Sequence, residues 1–147
     1  MSVTVARGRS DSERADALAV RERVFVEEQD VPVDRERDGR DDEAVHLVAY
    51  DGDRAVGAAR LRDYGTEEGA RVGKLERVAV LPERRGEGLG TRLTREAEQV
   101  ARQEGFDRLR LDAQTHATGF YERLAYEAVG GEFLDAGIPH RSMVKPL

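Results

Sequence analysis

The sequence predicts a mixed α/β domain, and three observations lead there. Short apolar runs with strand-like alternation recur along the chain, longer stretches carry helical periodicity, and the two kinds of segment alternate without a repeat or a low-complexity linker. The expected order is strand, helix, strands, helix, strand, helix, strands. At 147 residues the chain reads as a single domain over residues 1–147, long enough to bury a real core.

The elements follow in order. "SVTVA" (2–6) alternates as a short strand. In "SDSERADALAVRERVFVEEQ", Ser10 and Glu13 have capping-box spacing, and Ala15, Leu18 and Phe25 lie near a helical stripe. Pro32 stops that helix. Residues 34–43 form a polar, mostly acidic run, expected to be a solvated loop. "AVHLVAY", the turn "DGDR" and "AVGAARLR" predict a β-hairpin around Asp51-Gly52, with His46 structural in its first strand. A glycine-containing loop (65–73) leads into "KLERVAVLP", a strand ended by Pro82. Leu93, Ala97, Val100 and Ala101 give one apolar face to a helix expected over 91–104, and Gly105 closes it. "RLRLDAQ" reads as a strand and "ATGFYERL" as a short helix. Two strands, near 126–133 and 141–145, finish the chain.

Composition narrows the function. A net charge of −6 argues against general nucleic-acid binding, which needs a basic surface. The absence of cysteine excludes disulfides, thiolate metal sites and a cysteine nucleophile. The three histidines, His46, His116 and His140, have no metal-ligand spacing, so no metal is expected. No long apolar run suggests a membrane span, and "MSVTVARGRSDSER" has no secretory pattern, so a cytoplasmic protein is the simple reading.

One stretch carries chemistry. "RRGEGLGTRL" (84–93) follows a strand and opens a helix, with Gly86, Gly88 and Gly90 at the junction. Glycines let the unpaired N–H groups of a first helical turn approach a bulky anion, and the helix dipole favours negative charge there. Arg84 and Arg85 add charge. The stretch is suited to a phosphate or pyrophosphate, or it is a surface turn with glycines for its φ angles. A P-loop would end in Gly-Lys-Ser/Thr, whereas Gly90 is followed directly by Thr91. A dinucleotide fingerprint needs another glycine spacing near the first strand.

"VAVLPERRGEGLGTRL" resembles motif A of the GNAT superfamily of N-acetyltransferases, Arg/Gln-x-x-Gly-x-Gly/Ala after a strand. "LDAQTHATGFYERLAYE" resembles the next strand and short helix of the same superfamily. "RERVFVEEQDVP" and "DAGIPHRSMV" are similar to its ElaA-like branch, so the resemblance covers roughly residues 18–146. It departs at Gln114, where many members have Asn, and at Ala125-Tyr126, which replaces the common Gly-Phe.

The resemblance implies the GNAT fold, a central mixed, mostly antiparallel sheet with splayed middle strands flanked by helices. It implies acetyl transfer from acetyl-CoA, as acyl-donor substrate, to a primary amine of a small molecule or peptide. The pantetheine arm would lie on the main chain of Val78, Ala79 and Val80, a backbone N–H near Val78 polarising the thioester carbonyl. The pyrophosphate would rest on Arg85, Gly86, Glu87, Gly88, Leu89, Gly90 and Thr91, with Gln114 and Phe120 completing the cofactor contacts. Tyr121 matches the family tyrosine and is the expected acid for the departing thiolate, or else an aromatic packed beside Phe120.

An amine is mostly protonated at neutral pH, so a base is required. Glu76, placed by alternation on the face of Val78 and Val80, is the choice; a lone charge in an apolar strand either reaches the cleft or pairs with a cation. On the acceptor side, about Arg23 to Asp38, the acids Glu27, Glu28, Asp30 and Asp34 would suit a cationic amine or serve only as solubilising surface. Gln29, His116 and His140 are the candidates to touch the acceptor. The competing reading is an acyl-CoA-binding sensor or interaction module with little activity; an acyl-CoA-using synthase of the same fold is a third. Neither nucleic acid nor membrane is an expected partner, and a homodimer through the C-terminal strands is left open.

Overall fold

The computed structural model describes residues 3–147. β1 (Val3–Arg7) precedes α1 (Asp11–Arg21), which runs straight into a π-helical segment, Glu22–Glu28. The short α2 (Val33–Glu36) leads to β2 (Val45–Asp51), β3 (Arg54–Glu67) and β4 (Ala70–Val80). Then come α3 (Leu89–Gln103), β5 (Arg108–Gln114), α4 (Thr118–Arg123), β6 (Glu127–Asp135) and β7 (Ile138–Pro146). All seven strands form one sheet in the order β1-β2-β3-β4-β5-β7-β6. Every neighbouring pair is antiparallel except β4 and β5, so the mixed, mostly antiparallel expectation holds.

Local chemistry explains the helix ends. Ser10 accepts from the Glu13 N–H while Glu13 reaches back to the Ser10 N–H, the expected capping box. Gly105, at φ 82°, ends α3, and the next N–H, of Phe106, returns to the Ala101 carbonyl. Ala125 stands at φ 73°, a conformation that favours glycine.

Four expectations of local structure need correction. The buried residues of α1 are Ala17, Val20 and Arg21, continued by Val24, while Ala15 is exposed; the stripe is offset because Arg21, a charged residue, belongs to it. Residues 65–73 are not a loop: strand pairing runs on to Glu67 and Ala70, and the turn is only Glu68-Gly69, both at positive φ. The helix expected to begin at Thr91 begins at Leu89, with Gly88 at its N-cap. The last two strands are longer than expected, which brings His140 into β7.

The acidic run 34–43 is not simply solvated surface. Glu36 is 1% exposed and grips Arg21 through both oxygens at 3.1 and 3.2 Å. Arg60, wholly buried in the middle of β3, takes Asp38 bidentately at 2.9 and 2.8 Å and Asp41 at 3.1 Å. Asp41 also meets Arg21 at 2.7 Å, and its carbonyl accepts from the buried His46 at 2.9 Å. Burial lowers the His46 pKa and keeps the ring neutral. This ionic layer covers one face of β2–β4, and α3 covers the other: a β-carbon placed on Gly57 of β3 would stand 2.9 Å from the Leu93 side chain. Leu93, Ala97, Val100 and Ala101 are all buried, as their spacing required.

Between Ala58 and Arg60 one β3 residue faces two on β4, Arg77 and Val78, with Arg77 at φ 55°. This β-bulge puts the alternation out of phase. Glu76, opposite Arg60, shares a face with Ala79, while Val80, opposite Gly57, lies on the other. The expectation that Glu76 shares a face with Val80 is therefore corrected.

Arg60→Ala removes the buried partner of three half-buried carboxylates and should cost about 3–5 kcal/mol in urea unfolding. Arg60 holds the Asp38 carboxyl well below the usual range; burial pulls Asp41 up, but Arg21 and Arg60 outweigh it and leave it lowered. Because both folded-state values are depressed, their stabilisation is present above the ordinary aspartate pKa of about 3.9 and is lost as pH falls below it. Stability measured against pH should fall through that range, and Asp38→Asn should flatten the fall.

Candidate active site

The site begins where the sheet comes apart. β4 and β5 pair only from Val72–Arg108 to Leu75–Leu111. Beyond that point β4 stays with β3, through Glu76 and on to Val80, and β5 stays with β7 as far as Gln114. Each strand is held by its outer neighbour while the two diverge, which is the splay expected of the middle strands. The cleft that fills the fork has a volume of about 1030 Å³.

One end of the cleft is the glycine turn. Gly86 and Gly88 have φ of 80° and 82°, and a β-carbon on either would meet nothing within 4 Å. Among the described residues no side chain caps the N-terminus of α3, so its first-turn N–H groups have no side-chain partner there. Phe120 closes this end: a β-carbon on Gly90 would lie 3.2 Å from its ring. Arg84 pairs with Asp51 at 2.9 Å and with Glu87 at 3.1 Å. Arg85 donates to the Val80 carbonyl at 3.1 Å and clasps Glu28 with two bonds of 2.7 Å. That clasp lowers the Glu28 pKa and raises that of Arg85.

The structure brings most of the expected residues to this one cavity. Glu76, Val78, Ala79, Val80, Arg85, Gly86, Gly88, Leu89, Gly90, Gln114, Phe120 and Tyr121 line it, together with Gln29, His116 and His140. Glu87 and Thr91 do not. Glu87 is turned to Arg84, and Thr91 lies on a separate, shallower groove beside β1. Tyr121 is 8% exposed, edge-on to Phe120 at 4.9 Å and to Tyr126 at 5.8 Å. Burial raises its pKa, so the phenol is protonated at neutral pH.

Of the two readings of Glu76, cation pairing describes its surroundings. Arg60 approaches it at 3.1 Å, Arg62 at 2.5 Å and Lys74 at 3.7 Å. The carboxylate is thus gripped by cations of β3 and β4 while it also lines the cleft. The acceptor-side candidates form a chain: the Gln114 amide donates to Gln29 at 2.9 Å, and its oxygen meets His116 Nε2 at 2.8 Å. His140 pairs in register with Gln114.

Sequence reasoning missed Lys74 and Asp112, 3.2 Å apart at the apex of the fork. Burial pushes the Asp112 carboxyl up, but Ser142 and Lys74 outweigh it and leave it lowered. A signal existed in the alternation of "RLRLDAQ", which puts Arg110, Asp112 and Gln114 on one face. It also missed Arg60, a charge within the apolar run "AVGAARLR" that needed a buried partner as much as Glu76 did.

Known proteins share this architecture. The model of the acetyltransferase (GNAT) family matches residues 13–126. The uncharacterized N-acetyltransferase YjcF of Bacillus subtilis (strain 168) is 42% identical over 138 residues, covering 93% of this chain and 95% of its own. An acyl-CoA N-acyltransferase from Pseudomonas aeruginosa superposes with a TM-score of 0.82 at 32% identity, over 98% of each chain. Escherichia coli ElaA does so with a TM-score of 0.82 at 26% identity, also over 98% of each. The glycine turn, the forked strands and these relatives agree: the chain belongs to the GNAT family and is an acyltransferase.

Proposed function

We propose that the protein transfers an acetyl group from acetyl-CoA to a primary amine of a small molecule or peptide, by direct attack with both substrates bound. One observation carries this reading. A fork between two central strands ends against an uncapped helix N-terminus, reached through glycines with open space above them, within one cavity.

The residues fit the donor. The first-turn N–H groups of α3 and the space over Gly86 and Gly88 suit a pyrophosphate. Beyond Leu75, the edge of β4 has no β5 partner and can bond an amide-bearing arm. The bulge at Arg77-Val78 takes main chain out of the β3 ladder, and an N–H released there is suited to polarise a thioester carbonyl. The Val80 carbonyl now accepts from Arg85, so an arm that used it would displace that guanidinium.

In the reaction the amine nitrogen bonds to the thioester carbonyl carbon and loses a proton. The carbon–sulfur bond breaks, the sulfur takes a proton from the phenol of Tyr121, and the phenolate regains a proton from solvent. Tyr121 suits this role because it lines the cavity, is protonated, and has a hydroxyl with no hydrogen-bond partner among the described residues. The acceptor would enter between the π-helical segment and the β6–β7 turn, where Gln29, Asp34 and His140 line the wall.

Calorimetry with acetyl-CoA, with NAD and ATP as controls, should show binding of acetyl-CoA alone. Thiol release should then follow with at least one of spermidine, glucosamine, L-lysine and a short peptide with a free N-terminus. Binding without release from any of them would favour the sensor reading.

Gly88→Glu puts a side chain at positive φ and a negative charge in the anion seat, so acetyl-CoA affinity should fall by an order of magnitude or more. Unchanged affinity in the same titration would remove the pyrophosphate from this turn. Tyr121→Phe keeps the ring contacts and should lower kcat by about 100-fold with acetyl-CoA still bound. A kcat equal to wild type would end the acid assignment.

A further inference from the structure

Most carboxylates that line the cavity are already engaged. Glu28 is clasped by Arg85, Glu36 by Arg21, Asp38 by Arg60 and Glu76 by three cations. Ser142 and Lys74 hold Asp112, and Arg35 holds Asp135. His116 spends Nε2 on Gln114. Asp34 has no ion-pair partner among the described residues but stands exposed on α2.

His140 differs from all of these. It is 9% exposed, and its Nδ1 lies 2.6 Å from the Ile138 carbonyl oxygen. A carbonyl can only accept, so Nδ1 carries the hydrogen and the neutral ring presents its lone pair at Nε2. Nε2 makes no hydrogen bond among the described residues. The ring is stacked on Phe133, with centroids 5.9 Å apart and planes inclined by 25°, and Phe133 is its register partner on β6. On its other side Gln114 is its register partner on β5. His140 is therefore an oriented imidazole with a free acceptor nitrogen, and it lines the cavity.

We infer that His140 is the general base of the acyl transfer, taking the amine proton on Nε2 directly or through one water. This rests on the amine-acetylation reading above. As the nitrogen–carbon bond forms, the N–H electron pair stays on nitrogen and the proton passes to Nε2. The Nδ1–H bond to the Ile138 carbonyl orients the ring and stabilises the imidazolium, and bulk water then removes the proton. The charged or titratable groups nearest to His140 in strand register or lining the same cavity are Arg141 on its own strand, Asp112 on β5 with His116 just beyond, Glu132 and Asp135 on β6, and Asp34 and Arg35 on α2.

The test compares wild type with His140→Gln, which keeps polarity and approximate size. Acetyl-CoA affinity by calorimetry should be unchanged. With the panel amine that wild type acetylates fastest, kcat near neutral pH should fall by about 100-fold. From about pH 7 to about pH 10 the deficit should shrink, because the amine then deprotonates without help. A deficit that is constant with pH would mark a structural role and overturn the proposal, as would an unchanged kcat. Nitrogen-15 NMR of wild type should show the Nδ1–H tautomer; the Nε2–H tautomer would overturn the proposal whatever the acceptor. Failure of wild type itself to bind acetyl-CoA or acetylate any amine would instead overturn the functional reading, and this proposal with it.

Discussion

Two guanidinium groups without access to water, Arg21 on α1 and Arg60 on β3, constrain everything on one face of the sheet. Desolvating a charge costs several kcal/mol unless close opposite charges and good hydrogen bonds offset it. The partners are supplied by an otherwise irregular stretch, Glu36, Asp38 and Asp41, with Glu76 added from β4. The chain from Val33 to Glu43 is thereby docked, although it contributes few apolar side chains of its own. That docking builds a wall of the cavity, since Glu36 and Asp38 both line it. A stability requirement and a site requirement are met by the same ion pairs.

The sheet divides its labour by face and by strand. On the α3 face, Leu61, Leu75, Leu109 and Met143 make an ordinary apolar core. On the opposite face, Arg62, Lys74 and Arg110 all approach the ring of Tyr64, and Glu76 and Asp112 balance them. The fork lies between strands that each keep their outer neighbour, apart from the bulge on β4, so opening the cleft leaves few other backbone groups unpaired beyond those facing it. The bulge at Arg77-Val78 falls in the same stretch of β4. It changes which side chains face the cleft at the point where the strands have parted.

The sequence exposed the fold and the glycine turn because both are written in local patterns. Alternation, the capping box and the spacing of Leu93, Ala97, Val100 and Ala101 depend on near neighbours, and each appears where expected. The glycine turn is equally local, needing only strand, glycines and helix in succession. Only the face that Glu76 shares with Val80 was misjudged, because a bulge changes phase and no residue type announces one; Arg77 occupies positive φ where glycine would have been the signal. The run 34–43 was misjudged because its partners, Arg21 and Arg60, are remote in sequence and become buried only when three elements meet. His116 and Gln29 were named separately, and only the fold shows that Gln114 joins them.

The Arg85–Glu28 clasp behaves differently from the buried pairs, and exposure decides why. Its side chains are 44% and 35% exposed, whereas those of Arg21 and Glu36 are 0% and 1% exposed. A solvent-screened pair contributes about 1 kcal/mol or less, so exchanging Glu28 for a phosphate oxygen sacrifices little. Breaking the Arg21–Glu36 pair would strand a charge in the interior, and no ligand in the cleft could offset that. The ionic groups along the cavity therefore sort into a fixed set beneath the proposed acceptor wall and an exchangeable pair beside the glycine turn. For the donor proposed here, Arg85 is free to turn from Glu28 and the Val80 carbonyl toward a pyrophosphate, while the acceptor wall keeps its geometry.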